Sequence, residues 1–163
     1  MISPAHPRQF ADTNFPKRRR PAKGLLIHPH APTIVFVTVC TKDREPWLAT
    51  NRNHDLLRSI WSDPRSWLVG RYVLMPDHLH LFCAPIDPPL PLGNWVRYWK
   101  SAFSRSHGAP GHRWQNGQWD TRLRREESYD SKWHYVRNNP VRAGLVEDPD
   151  AWPYQGEINL LPW

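Results

Sequence analysis

The sequence has few cysteines, few glycines and no long apolar run. Only two of its 163 residues are Cys and eight are Gly. Because the sequence has no Cys-x-x-Cys spacing and no secretory segment, Cys40 and Cys83 are predicted to be small core residues in a reducing cytoplasm. The first residues are rich in Pro and Arg instead of apolar side chains, which argues against a secretory signal. No apolar run approaches the length of a membrane span.

Acidic residues are also in short supply, and the excess of positive charge is unevenly distributed. The net charge is +7 and the pI about 9.8. Residues 1–30 carry six Lys or Arg against one acid, and residues 97–142 carry ten against four. The last 21 residues hold four acids and neither Lys nor Arg. Two basic segments predict a polyanionic partner, most simply nucleic acid, although a merely solvated basic surface is the alternative.

The length predicts one domain between two tails of different character. Residues 1–30, centred on "PKRRRPAK", are expected to be a flexible basic arm. Within it, Arg18, Arg19 and Arg20 would add salt-dependent affinity for phosphates without reading base sequence. Residues 147–163 are expected to form an irregular C-terminal tail.

Alternating β-branched runs and helical periodicities predict an α+β fold. The predicted strands cover residues 33–41, 66–75, 78–85 and 119–123, and the predicted helices cover 51–61, 92–108 and 125–139. This order is the ferredoxin-like split β-α-β-β-α-β pattern, which gives an antiparallel sheet with helices on one face. The additional C-terminal helix, 125–139, follows the last strand.

Two histidines interrupt an otherwise apolar strand in "YVLMPDHLHLF", residues 72–82. Side chains two apart on a strand point the same way, so His78, His80 and Phe82 share one face and the intervening residues face the core. The two imidazoles would lie roughly 6–7 Å apart, close enough to bind one metal ion together with a third ligand from elsewhere. The alternative is a pair of half-exposed histidines with structural hydrogen bonds.

A second group of polar residues lies in "SYDSKWHYVRNNPVRAGLV", residues 128–146. On the predicted helix, Tyr135 and Asn139 are separated by four residues and share a face, with Lys132 nearby. Positive charge is added by Arg137 and Arg142. The alternatives are that Tyr135 packs on the sheet like most helical tyrosines, and that Asn-Asn-Pro only ends the helix.

Together the two groups predict a specific chemistry. A phenol has a pKa near 10 and attacks well only when its target is polarised and its proton is removed. A divalent ion bound by His78, His80 and the side-chain oxygen of Asn139 would polarise a phosphodiester. Tyr135 would then form a covalent 5′-phosphotyrosine. Tyr98, within an aromatic stretch of the 92–108 helix, is the rival nucleophile, but packing is the role we favour for it.

These motifs resemble those of a known protein family. "MPDHLHLF" resembles the His-hydrophobic-His (HUH) motif of single-tyrosine HUH transposases. "WHYVRNNPVRAGLV" resembles the C-terminal motif of the REP-associated tyrosine transposases, in which an Asn-Pro follows the Tyr. "RWQNGQWDTRLRREESY" is similar to the stretch that links these two motifs in that family. The likeness extends from about residue 33 to residue 157.

The resemblance implies a metal-dependent endonuclease and strand transferase that acts on single-stranded DNA. The HUH transposase domain would comprise residues 31–146, with Mg²⁺ or Mn²⁺ on His78 and His80 and with Tyr135 as the nucleophile. The third ligand position is Gln in some relatives and Asn139 here. Asp77 stands where many relatives have Asn, and it either supports a metal ligand or only forms the turn.

Relatives of this kind recognise imperfect hairpins flanked by a short single-stranded guide, so hairpin or single-stranded DNA is the expected partner, bound by a monomer or a homodimer. We expect Trp114 to stack on a base and basic side chains to contact phosphates. The expected phosphate contacts are Lys100, Arg105, Arg122, Arg124, Arg125, Lys132, Arg137 and Arg142. Two alternatives stay open: a catalytically silent module that binds hairpin DNA or RNA, and a metal hydrolase that works through water.

Overall fold

The computed structural model describes residues 33–86, 90–124 and 126–162. The predicted basic arm, residues 1–30, lies outside the described residues, and so does Arg125. The described chain forms an α+β fold around one five-stranded antiparallel sheet. The predicted fold class is therefore confirmed.

The helices and strands follow the predicted order closely. The strands are β1 (Ile34–Cys40), β2 (Trp67–Leu74), β3 (His78–Pro85), β4 (Trp119–Leu123) and β5 (Gln155–Glu157). The helices are α1 (Asn51–Trp61), α2 (Leu92–His107), α3 (Glu126–Arg137) and the single turn α4 (Asn139–Arg142). Short 3-10 turns occur at Lys42–Arg44 and Pro149–Ala151.

Local signals explain where the first two helices begin and end. The hydroxyl of Thr50 accepts a hydrogen bond from the backbone N–H of Asn53 and caps the start of α1. Helix α2 ends at Gly108, whose φ of 68° lies in the left-handed region that glycine adopts without steric cost. Both boundaries were predicted from the sequence to within a residue.

The strands lie side by side in the order β4-β1-β3-β2-β5. The first four positions are those of the ferredoxin-like split pattern, in which β3 lies between β1 and β2. Strands β1 and β3 are central and are buried along almost their whole length. Any polar side chain on these two strands is therefore held by neighbours on both sides, which makes them a rigid support for a site.

Alternation along the central strands produces two separate apolar clusters, one on each face of the sheet. Val35, Val37 and Leu81 belong to the cluster under α1 and α2. Phe36 and Phe82 belong to the cluster on the opposite face, which α3 and the C-terminal segment cover. Helices α1 and α2 share one face, as the split pattern predicted, and the additional helix α3 lies on the other face because its apolar residues pack there.

The C-terminal segment is also more ordered than expected. Residues 147–163 were predicted to be an irregular tail, yet the segment contains a 3-10 turn and β5, which pairs with β2. The indole of Trp152 is buried and its Nε1 donates a hydrogen bond of 2.8 Å to the carbonyl oxygen of Leu74. A three-residue strand has too weak a periodicity to be recognised in sequence, and tertiary contacts with β2 stabilise it.

Within residues 33–86, 90–124 and 126–162, no helix combines the length and the apolar character required to cross a bilayer. Cys40 and Cys83 lie in β1 and β3, are buried and are not joined in a disulfide, as predicted.

We predict that Trp152→Phe lowers the free energy of unfolding by about 1–3 kcal/mol, because the buried carbonyl of Leu74 loses its donor. Urea denaturation followed by circular dichroism measures this change. Trp119→Phe is the matched control, since Trp119 is exposed at an edge strand and its change should stay within about 0.5 kcal/mol. Equal stabilities of the two variants would show that the hydrogen bond from Trp152 to Leu74 does not stabilise the fold.

Candidate active site

The two histidines of β3 lie side by side on the sheet face that α3 covers. Their ring centroids are 4.8 Å apart and the rings meet edge to face at 80°. His78 and His80 are each only 7% exposed. Phe82 continues the row into the second apolar cluster, as strand alternation predicted. The imidazoles are closer than the predicted 6–7 Å, because the rings are turned toward each other.

Each imidazole is held through its Nδ1 atom. The carboxylate of Asp77 lies 2.7 Å from Nδ1 of His78, and the hydroxyl of Thr38 lies 2.8 Å from Nδ1 of His80. Among the residues that the structure describes, no hydrogen bond occupies Nε2 of either ring. A carboxylate accepts only from a protonated nitrogen, so the neutral form of His78 carries its proton on Nδ1 and presents the lone pair of its Nε2. Asp77 is therefore more than a turn residue.

Arg44 supports the carboxylate from the other side. Its Nε forms an ion pair of 2.8 Å with Asp77, and its Nη1 lies 2.8 Å from the sulfur of Cys40. Asp43 and Arg44 both have positive φ, 55° and 58°, a conformation that costs side-chain-bearing residues of order 1–3 kcal/mol each. Such strain persists only where surrounding contacts impose it, which indicates that this turn is built to place the guanidinium beside Asp77.

The charges around the pair favour an ionised Asp77 and a neutral His80. Burial alone would raise the pKa of Asp77, but its hydrogen bond with His78 and the charge of Arg44 hold that pKa below its ordinary value. Burial lowers the pKa of His80 well below its ordinary value, and the positive charges of Lys132, Arg44 and Arg142 act in the same direction. A neutral imidazole is the form that binds a metal ion.

A short series of contacts connects α3 to the histidine pair. Helix α3 packs on the second apolar cluster through Tyr129 and Val136. The ammonium of Lys132 lies 4.7 Å from the ring centroid of Phe36, and Phe36 stacks on His80 at 5.3 Å. Lys132 also lies 5.9 Å from the ring centroid of Tyr135. The face of α3 that carries Lys132 and Tyr135 is therefore on the histidine side of the sheet.

The phenol of Tyr135 is available to a substrate. Its side chain is 60% exposed, which is unusual for a large aromatic residue on a helix that packs against a sheet. The guanidinium of Arg142 lies over its ring, 4.0 Å from the centroid, and donates a 2.8 Å hydrogen bond to its backbone carbonyl oxygen. Two positive charges thus flank an accessible phenol.

Asn139 is placed differently from the prediction. Helix α3 ends at Arg137, and Asn139 begins α4, so the continuous helix predicted over 125–139 is wrong at its C-terminal end. Pro140 has no N–H to continue the hydrogen-bond ladder and interrupts the helix at this point. The Oδ1 of Asn139 accepts a hydrogen bond from Arg142, so that guanidinium contacts both Asn139 and Tyr135.

The donor set of the pair fits a divalent ion. Two neighbouring imidazoles whose Nδ1 atoms are hydrogen-bonded and whose Nε2 atoms are not would supply two ligands to a divalent ion. Among the described residues, no group of three or more His, Cys, Asp and Glu is arranged to bind an ion, so the further ligands would be amide or water oxygens. Asn139 carries such an oxygen, and Arg142 donates a hydrogen bond to it.

The basic residues predicted to bind DNA do not all reach this face. Lys100 is half-buried, and its ammonium donates to the carbonyl oxygens of Gln115 and Gly117 at 2.6 and 3.0 Å. Burial lowers the pKa of Lys100 to about 8. Arg122 lies opposite Val35 in the β1–β4 register and therefore faces the α1–α2 side.

The other predicted contacts divide between the two sides of the sheet. Trp114 packs edge to face against Trp99 and Phe103 in the cluster under α1 and α2. Arg105 is exposed on α2 and Arg124 is exposed just after β4. Of the residues predicted near the tyrosine, Lys132 and Arg142 lie beside it, whereas Arg137 forms an ion pair with Asp150.

Four contributors to this face were not recognised in the sequence: Phe36, Thr38, Arg44 and Trp119. Phe36 and Thr38 belong to a β-branched strand, and only the β1–β3 register shows that they lie beside His80. Arg44 precedes its partner Asp77 by 33 residues, and no spacing rule connects them. Trp119 carries no signal that separates it from the other tryptophans before the register of β4 is known.

The chain is similar to a curated relative and to solved structures. A curated relative, the REP-associated tyrosine transposase of Escherichia coli (strain K12), is 25% identical over 121 residues, which cover 73% of each chain. A solved structure of a REP-associated tyrosine transposase bound to a REP hairpin superposes with a TM-score of 0.66 at 24% identity and covers 76% of each chain. A putative transposase from Deinococcus radiodurans has a TM-score of 0.48 at 18% identity, with 72% of this chain and 96% of that chain covered.

No protein-family model matches the chain. The resemblance to the REP-associated tyrosine transposases that the motifs predicted is nevertheless confirmed by the curated relative, and the fold is confirmed by the first of the two structures.

We predict that His78 is no longer restricted to one tautomer in Arg44→Ala, because Asp77 loses the ion pair that holds its carboxylate against Nδ1 of His78. Long-range ¹H–¹⁵N spectra of the metal-free protein should show one Nδ1–H form of His78 in the wild type and a mixture of tautomers in the variant. The signals of His80 should not move, since Thr38 holds that ring.

Arg65→Ala is the matched control for this experiment. It removes another Arg–Asp ion pair of 2.8 Å, with Asp63, on an exposed turn before β2. His78 should keep its single tautomer in that variant. An unchanged His78 spectrum in Arg44→Ala would mean that Asp77 orients the ring without the arginine.

Proposed function

We propose that this chain is a metal-dependent endonuclease and strand transferase of the REP-associated tyrosine transposase kind, acting on single-stranded DNA beside a hairpin. The main support for this proposal is that the histidine pair and Tyr135 lie on the same side of the sheet. The two imidazoles lie side by side, and helix α3 above them carries the exposed phenol of Tyr135 close to Lys132 and Arg142. The curated relative and the hairpin-bound structure support the same class of activity.

His78 and His80 would hold a divalent ion through their Nε2 atoms, and Asn139 is the candidate for a third ligand. A bound ion would supply Lewis-acid polarisation of the scissile phosphodiester. Of the two ions that the motifs suggest, Mg²⁺ prefers oxygen ligands and keeps several waters. A pair of imidazoles therefore favours Mn²⁺ over Mg²⁺.

Tyr135 would act as the nucleophile. Its phenolic oxygen forms a bond to phosphorus, the bond from phosphorus to the 3′ oxygen breaks, and the departing 3′ oxygen takes up a proton. The phenolic proton passes to solvent, which has access to the exposed ring. The 5′ phosphate stays on Tyr135 as a diester of similar energy, so a second 3′ hydroxyl can reverse the reaction and rejoin a different strand.

Lys132 and Arg142 have a role that their positions support directly. Both side chains lie close to the Tyr135 ring, and the positive charge of each lowers the pKa of His80. A phosphodiester between the phenol and the imidazoles would therefore lie among fixed positive charges that attract it and stabilise the charge that develops on it. Arg105 and Arg124, both exposed, are candidates for contacts farther along the DNA.

A second candidate function is favoured by one observation, namely the incomplete ligand set. Among the described residues no third His, Cys, Asp or Glu joins the histidine pair, and Asn139 is engaged by Arg142. A module that binds hairpin DNA or RNA without cutting it would need no complete metal site. Such a module would also have no use for an exposed tyrosine beside two supported imidazoles, which is why we place the enzyme first.

The nucleophile is tested with labelled hairpin DNA, Mn²⁺ and a denaturing gel. We predict that the wild-type chain forms a covalent protein–DNA adduct, and that Tyr135→Phe reduces it by at least ~10³-fold because the attacking oxygen is gone. Tyr98→Phe is the matched control, since Tyr98 is also partly exposed, at 38%, but lies on α2 beside Arg65. It should form the adduct at the wild-type rate.

The same gel separates the alternatives. Cleavage that survives Tyr135→Phe without an adduct would replace the proposal with a hydrolase that uses water. DNA binding by the wild type with neither cleavage nor adduct would support the silent module. Loss of the adduct in Tyr98→Phe would move the nucleophile to α2.

The metal site is tested on the protein alone by titration calorimetry with Mn²⁺. We predict that His78→Ala and His80→Ala each weaken Mn²⁺ binding by more than about tenfold, because each removes a ligand. His134→Ala is the control, since His134 is an exposed histidine on α3. Equal Mn²⁺ affinities for all three variants and the wild type would exclude the histidine pair as the binding site.

A further inference from the structure

Trp119 stands out among the tryptophans because of its position on the sheet. It lies on β4, which is an edge strand among the strands of residues 33–86, 90–124 and 126–162, and its side chain is 43% exposed. Tryptophan is usually well buried, and an exposed ring on an edge strand is an aggregation hazard that natural sheets tend to avoid. We therefore expect that a binding partner covers this exposed indole on the edge strand.

The strand register places Trp119 in line with the candidate active site. Trp119 is opposite Thr38 on β1, and Thr38 is opposite His80 on β3. Residues directly opposite in antiparallel strands project from the same face, so Trp119, Thr38 and His80 form one row across the sheet. Two strand spacings separate the first and last members of this row, roughly 10 Å.

Neighbouring residues confirm which way the strand faces. Leu123, four residues after Trp119 and therefore on the same face, belongs to the apolar cluster of the histidine side. Arg122 is opposite Val35, whose cluster lies under α1 and α2. Trp119 is therefore an exposed aromatic ring on the same face as the histidine pair, whereas Trp114 packs on the other side.

We propose that Trp119 is a stacking platform for one unpaired nucleobase of the DNA strand whose scissile phosphate lies beside His78 and His80. The inference rests on the proposed function and extends it by naming a base-binding position. A separation of roughly 10 Å corresponds to about three nucleotides at the 3.4 Å rise per nucleotide of a stacked strand, and to fewer in an extended one. The stacked base therefore belongs to a nucleotide close to the scissile phosphate.

The chemistry of the surroundings favours a single strand of DNA as the occupant. Every base has an aromatic face, and bases outside a duplex are free to stack on an indole. Lys132 and Arg142 supply positive charge for the backbone near His80, while Trp119 supplies an uncharged ring at the edge. This pairing of a cationic track with an aromatic platform is how single-strand binding proteins hold their ligands.

The test measures binding without cleavage. The full chain is titrated in EDTA against a fluorescent hairpin that carries short thymidine tails, and each tail position in turn is replaced by an abasic nucleotide. We expect Trp119→Ala to weaken binding roughly 5- to 150-fold, the range that corresponds to about 1–3 kcal/mol for one stacked base. Trp119→Phe, which keeps a smaller ring, should lose less.

The decisive measurement is the coupling between protein and DNA changes. One abasic position should weaken the wild type by the same factor as Trp119→Ala, and should weaken Trp119→Ala no further. Tyr98→Ala is the control, a partly exposed aromatic residue on α2, and it should bind every DNA like the wild type. Thermal melting of each variant verifies that the fold is intact.

Several outcomes would overturn the inference. Wild-type affinity in Trp119→Ala, or equal losses at every abasic position without coupling, would show that the ring holds no base. A change in self-association without any coupling would identify the ring as a contact between copies of the chain. If the coupling is observed but no adduct forms with Mn²⁺, the base-binding position stands and the proposed cleavage fails. A wild type that binds no hairpin would remove both.

Discussion

The antiparallel register of β1 against β3 is the constraint on which the rest of the site depends. It sets Thr38 opposite His80 and Cys40 opposite His78. Because Thr38 lies opposite His80, its hydroxyl forms a hydrogen bond with Nδ1 of His80. Arg44 lies beside the pair of Cys40 and His78 and contacts both the Cys40 sulfur and Asp77. A slip of one residue would turn Thr38 to the other face and leave the buried ring of His80 without its hydrogen-bond partner.

The burial of both strands makes this constraint unusually strict. Most residues of β1 and β3 are enclosed by apolar clusters on two faces, so neither strand can shift without exposing part of both clusters. The imidazoles are therefore held by the sheet as a whole. An ion bound to His78 and His80 would meet ligands already fixed in tautomer and direction, and the entropy of ordering them would be lost during folding instead of during binding.

The periodicity of the sequence was sufficient to predict which residues share a strand face and where two of the helices lie. The shared face of His78, His80 and Phe82 follows from alternation within one strand, and α1 and α2 follow from apolar spacing and their end signals. It did not reach contacts that depend on strand register or on a turn with positive φ, such as those of Thr38 and Arg44. Single-sequence patterns carry no information about which strands become neighbours or in what alignment.

The path of the chain after α3 is another feature that sequence patterns did not predict. Four-residue spacing placed Tyr135 and Asn139 on one helix face, and Pro140 was recognised as a helix stop. The chain instead breaks before Asn139 and resumes as the single turn α4, with Arg142 connecting the two residues. Steric rules predict that a proline ends a helix, whereas the route of the chain beyond it is decided by tertiary contacts.

The two sides of the site differ in how firmly the surrounding structure holds them. The histidine side is built into the centre of the sheet, with each Nδ1 atom bonded and both rings nearly inaccessible. The tyrosine side lies on the outer surface of a helix, more than half exposed, where Arg142 contacts its ring and its backbone. In the proposed function, Tyr135 becomes covalently joined to a DNA end and must later present that end to a second strand. A rigid phenol would hinder that exchange, whereas rigid imidazoles would not, because the phosphate has to return to the same place in both directions of the reaction.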